Sequence, residues 1–307
     1  MTGAAPAPVG TVAHYNLLER LEPAGPGELF RARDTRLGRT VAVRTLPAGF
    51  LQSPDEREAF LAHARAMRTL SHPNITALFD AGEHEGRLYL VFEFLKGQSL
   101  RMEMGGRPLH VRRAVELAIQ IAEGVADAHA AGLIHGGLSP DTVVITAKGH
   151  AKIPAFELAS RTGFEDGPDG VRLRDYDSPE EAHGQAADER SDIHSVGAVL
   201  YEMLTARRPS HKGASAPSAS NPHVPAELDE LVLRAIAPNP DARLQSVVTL
   251  AAELRSIAAI LEVRGGAGDD GGDEPMASSG VQMGRAVLMA AGVLAMVGAA
   301  LWLLTAR

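Results

Sequence analysis

Ile134-His135-Gly136-Gly137-Leu138-Ser139-Pro140-Asp141-Thr142 is the stretch on which the reading of this chain turns. His135 is its anchor, and Pro140, with φ fixed by its ring, is its turn. Gly137 brings no side chain that could take a proton, and Thr142 brings only a neutral hydroxyl. Before the stretch, apolar residues at helical spacing predict a helix over 111–130. After it, short runs at 142–145 and 151–153 flank Lys148-Gly149 and predict a hairpin.

Further upstream, alternating patterns predict strands over 15–21, 29–33, 40–46, 75–79 and 88–94, with one helix over 54–70. Downstream, helices are predicted over 191–205, 226–237 and 246–261. A strand-rich lobe followed by a helical lobe, joined at Glu93-Phe94-Leu95, is a two-lobed α+β fold. The expected divisions are an N-terminal arm at 1–14, an N-lobe at 15–95, a C-lobe at 96–261, a Gly/Asp-rich linker at 262–284 and an anchoring helix at 285–304.

The 307 residues are 45% hydrophobic and 22% charged, enough for a full core. A net charge of -8 without a dense basic run argues against nucleic-acid binding. There is no cysteine, so disulfides and thiolate sites are excluded. The twelve histidines lack a paired ligand spacing, and no metal site is expected.

Residues 1–14 are Ala/Pro-rich without a basic or apolar segment and do not read as a signal peptide. Residues 286–304 are apolar and uncharged, and at ~1.5 Å per residue such a run spans a ~30 Å hydrocarbon core. Arg285 and Arg307 bracket it, so charge gives no orientation. The expectation is a single-pass membrane protein on a flexible tether, whose small residues Ala291, Ala295, Gly298 and Ala299 are compatible with a homodimer.

The chain resembles bacterial transmembrane Ser/Thr protein kinases over about four-fifths of its length. The likeness rests on Ala32-Arg33-Asp34-Thr35-Arg36-Leu37-Gly38-Arg39, Val41-Ala42-Val43, Ser71-His72-Pro73-Asn74-Ile75 and Leu90-Val91-Phe92-Glu93-Phe94. It continues through Ser178-Pro179-Glu180, Arg190-Ser191-Asp192-Ile193-His194-Ser195-Val196-Gly197 and Arg207-Arg208-Pro209. The resemblance implies a Glu180–Arg243 pair, and Asp192 capping the loop backbone. It also implies an adenine pocket of Leu21, Leu29, Ala42 and Val144 beside Glu93 and Leu95, with Arg44 at its phosphate end, and a cytoplasmic placement.

Against that pattern several positions depart. The phosphate-holding Lys is Arg44, and its helix partner Glu is His63. The base Asp is Gly137, the metal-binding Asn is Thr142, and the Asp of Asp-Phe-Gly is Ala155. The glycine-rich loop reads Glu22, Ala24 and Gly27 at its three glycine positions. Together the departures imply a membrane-anchored pseudokinase that is not an enzyme, takes no cofactor and works by binding a protein, an active kinase or its substrate. Weak metal-independent ATP binding is compatible with the pocket. The alternative is a Ser/Thr protein kinase or other ATP-dependent transferase with atypical residual activity, drawing on Arg44, Asp141 and Glu157.

Overall fold

The computed structural model describes residues 9–21, 27–51, 53–153, 176–210 and 213–266. The chain divides into two compact units after Leu261, and the architecture below is that of the first, whose final helix runs on to Gly266. Six antiparallel strands open it: β1 (Gly10–Val12), β2 (Tyr15–Leu21), β3 (Glu28–Asp34), β4 (Thr40–Thr45), β5 (Leu78–His84) and β6 (Arg87–Glu93), in the spatial order β1-β2-β3-β4-β6-β5. Period-2 alternation sends Val41 and Val43 to one face, where they pack with Tyr15, Leu17, Ala32, Tyr89 and Val91. Ala42, Leu90 and Phe92 face the other way, onto α1 (Pro54–Met67) and the main core.

Helix α1 starts where its sequence asks. Ser53 accepts from Glu56 N while the Glu56 side chain accepts from Ser53 N, and Pro54 takes a first-turn position that needs no N–H. Phe60, Ala64 and Met67 recur at helical spacing and form its buried face. Truncating Phe60 to Ala would cost ~3–5 kcal/mol.

The helical lobe is built on α3 (Val111–Ala130) and α5 (Glu189–Thr205), with α6 (Ala226–Ala235) and α7 (Val247–Gly266) around them. Residues 191–205 of α5 are all buried, so this helix is the lobe's axis. Gly197 lets it approach α6, because a Cβ there would lie 2.7 Å from Ala235 Cβ. A small sheet of β7 (Gly97–Ser99), β8 (Val144–Thr146) and β9 (Ala151–Lys152) follows the loop 134–142, which leads into its central strand, β8. Two short helices, α2 (Leu100–Met104) and α4 (Pro179–Ala182), complete the described elements together with single 3-10 turns.

The structure differs from expectation in several places, among them α1, which ends at Met67 and not at 70, and α7, which runs on to Gly266 where a linker was expected from 262. The arm expected over 1–14 contains β1, which pairs with β2 and covers its edge, and Val9 N donates to Leu17 O. The strand expected over 75–79 begins only at Leu78, because Ile75 and Thr76 pair instead with Ile153 and Asn74 Nδ2 donates to Ala151 O. β8 starts two residues later than expected, since Thr142 N and Val143 N both close a turn on Ser139 O. β7 and α2 were too short to carry a periodic signal. The apolar run at 286–304 lies outside the described residues, among which no helix is long and apolar enough to cross a membrane.

Candidate active site

The loop 134–142 hangs from one buried carboxylate. Asp192, on α5, accepts from His135 N at 2.8 Å and Gly136 N at 2.9 Å, and lies 2.7 Å from His129 Nε2. These hydrogen bonds satisfy an anion that is 1% exposed. The clasp bends the backbone to φ 59° at Gly136, a left-handed conformation that glycine adopts without a Cβ penalty.

Thr142 spends its hydroxyl on the loop itself. Its Oγ1 accepts from Ser139 N at 2.9 Å and points its proton at Ser139 O, 3.0 Å away. Asp141 is also engaged: Arg101 Nε and Nη2 grip its carboxylate at 3.0–3.2 Å. Among the described residues no group of three or more His, Asp or Glu could hold a metal ion. With Thr142 turned inward and Asp141 held by a guanidinium, the described side chains do not fit the octahedral oxygen set Mg²⁺ requires.

The sheet register sets the face of the strand-rich lobe on which the expected pocket residues stand. Leu21 pairs with Leu29, Leu29 with Arg44, and Arg44 with Leu90, which puts these side chains on one face with Ala42 two residues along. Arg44 is 9% exposed, and burial pulls its guanidinium down to about 10, so it stays protonated at neutral pH. His63 stands on α1, one residue from the buried Ala64. Glu93 ends β6 and accepts from Lys152 Nζ at 2.7 Å, tying the inter-lobe connector to β9. Val144 begins β8 and Leu95 follows β6. Ala155 and Glu157, and Glu22 with Ala24 of the glycine-rich position, lie outside the described residues.

The helical lobe is braced by a buried ion pair. Arg243 Nη1 and Nη2 donate to the two carboxylate oxygens of Glu180 at 2.6 and 2.7 Å, and Ser191 Oγ donates to Glu180 Oε1 at 2.8 Å. Burial pushes the Glu180 carboxyl up, but the Arg243 hydrogen bonds outweigh it and hold it at about 2.

Sequence reading missed Arg101, Lys152, Tyr176 and Glu202. Arg101 lies 40 residues from Asp141 and 101 from Glu202 in the chain, and no local pattern links positions so far apart.

Comparison with known proteins follows the same outline. The sequence profile of the protein kinase domain matches residues 18–250. A probable serine/threonine-protein kinase of Streptomyces coelicolor is 34% identical over 255 residues, covering 76% of this chain and 38% of the relative. PrkC of Bacillus subtilis is 29% identical, covering 79% of this chain and 40% of PrkC. PknB of Mycobacterium tuberculosis is 33% identical, covering 78% of this chain and 42% of PknB. The chain thus spans about two-fifths of the length of these relatives. The crystal structure of the M. tuberculosis PknI kinase domain superposes with a TM-score of 0.69 at 23% identity, covering 83% of this chain and all of that domain, which shows the fold.

These relatives overturn the expectation of a non-enzymatic pseudokinase, because all are named Ser/Thr protein kinases. Each departure at Arg44, His63, Gly137, Thr142 and Ala155 changes one polar group, and residue-by-residue comparison with a motif weighed those groups above the shared framework. The match over 18–250, the two-lobed structure and the relatives place this chain in the bacterial Ser/Thr protein kinase family.

Proposed function

We propose that this chain is a slow Ser/Thr protein kinase using ATP as donor. One observation carries the reading: the family match runs through both lobes, and the relatives sharing it are named Ser/Thr protein kinases. In this reading Leu21, Leu29, Ala42 and Val144 enclose the purine and the backbone at Glu93 and Leu95 meets its edge. Arg44, charged at neutral pH, neutralises phosphate oxygens. The substrate hydroxyl oxygen bonds to the γ-phosphorus, the β–γ bridging bond breaks, ADP leaves with the bridging oxygen, and the hydroxyl proton passes to water.

Gly137 offers no base, and absence of a positioned base costs ~10²–10⁴ in rate. That is why the proposed enzyme is slow. The apolar run 286–304 would hold the catalytic unit at the cytoplasmic face of a membrane, beside membrane-associated protein substrates. Transfer of labelled phosphate from ATP to a Ser/Thr protein substrate, compared between wild type and Arg44→Met, tests the reading. Incorporation that depends on Arg44 is expected, and equal counts in both samples would overturn it.

A further inference from the structure

Among the described residues of the helical lobe, Arg101 is the most connected side chain outside the Glu180–Arg243 pair. Its backbone N donates to Pro140 O at 2.9 Å, beside Leu100 N donating to Val143 O at 2.8 Å, so α2 is stitched to the loop by main chain. Its guanidinium then reaches three further groups: both oxygens of Asp141, Glu202 Oε1 at 2.6 Å, and the hydroxyl of Tyr176. Tyr176 also donates to Glu202, and the guanidinium carbons of Arg101 and Arg208 lie 5.8 and 5.7 Å from its ring centre. Tyr176 and Glu202 are buried, so the hydrogen bonds act in a low-dielectric setting. Burial works against the charge on Arg101, yet the Asp141 and Tyr176 hydrogen bonds raise its pKa above the ordinary value.

Arg101 thus joins three pieces: the loop at Asp141, the chain just before Ser178-Pro179-Glu180, and the central helix α5. A planar fork with donors on both edges can hold three acceptors at fixed angles, which an ammonium cannot.

We infer that Arg101 is a positioning residue: it locks the 134–142 loop and Tyr176 to α5 in the geometry that receives the protein substrate. The part of this inference that concerns substrate rests on the kinase reading, and the lock itself does not.

Hydrogen–deuterium exchange of the full chain without nucleotide tests the lock, using Arg101→Met and Arg101→Lys. Arg101→Met should speed exchange in peptides spanning 134–143 by at least about tenfold while leaving α3 and α5 peptides unchanged, and Arg101→Lys should restore only part of the protection. In phosphotransfer, Arg101→Met should lower kcat and raise KM for the protein substrate, with KM for ATP unchanged within about twofold. Loop exchange equal to wild type, full rescue by Lys, or a uniform rise across all peptides would overturn the inference. Should Arg101→Met not fold, Glu202→Gln, which keeps volume and removes one charge, must speed the same peptides. Absent phosphotransfer in wild type would sink the kinase reading while leaving the exchange result to decide the lock.

Discussion

Removing Arg243 should be among the most destabilising single changes available in the helical lobe. Its side chain is fully buried and donates five hydrogen bonds, two to Glu180 and one each to the carbonyls of Ala237, Arg190 and Pro238. Arg243→Ala strips Glu180 of its counter-ion in a nearly dry site, which typically costs ~3–5 kcal/mol. With m of about 2.5 kcal/mol per M of urea, a loss of ~4 kcal/mol lowers the midpoint by about 1.6 M. Circular dichroism during urea titration reads this directly. The double variant Glu180→Ala/Arg243→Ala should lose less than the sum of the singles, by ~2 kcal/mol, because no orphaned carboxylate remains. A midpoint for Arg243→Ala within about 0.3 M of wild type would refute the claim that the pair braces the lobe.

Two further outcomes follow from the packing and charge of the helical lobe. Gly197→Ala would place a Cβ 2.7 Å from Ala235 Cβ and 2.9 Å from Ile236 Cγ2, so overpacking should cost ~1–3 kcal/mol and thermal melting should fall by several degrees. Glu180 titrates at about 2 when folded against 4.5 when free, so its stabilisation is complete above the free value and is lost as pH falls from about 4.5 towards 2. The loss of stability between pH 6 and pH 3 should therefore be smaller in Glu180→Gln than in wild type, by about 2 kcal/mol.

The two-lobed order was legible because its signals are local: alternation in β2, β3, β4 and β6, and helical spacing in α3, whose observed span equals the predicted one. What escaped was tertiary. Ile75 has the apolar character of a strand, but the side chain of Asn74, bonded to Ala151 O, turns this stretch towards Ile153 and delays β5. β1 is only three residues long and exists because β2 offers an edge. At the site, Glu180 and Arg243 lie 63 residues apart and only the family resemblance linked them. Arg101, Tyr176 and Glu202 had no signal of either kind. The functional error had a different origin, since side chains missing from a motif were read as activity missing from the protein.

The most direct measurement is the rate of phosphate transfer from ATP to a Ser/Thr protein substrate by wild type and by Gly137→Asp, which returns a carboxylate to the loop. The account predicts a slow but measurable wild-type rate and a rise of ~10²-fold in Gly137→Asp. No transfer by wild type under conditions where Gly137→Asp is active, or none by either, would contradict it.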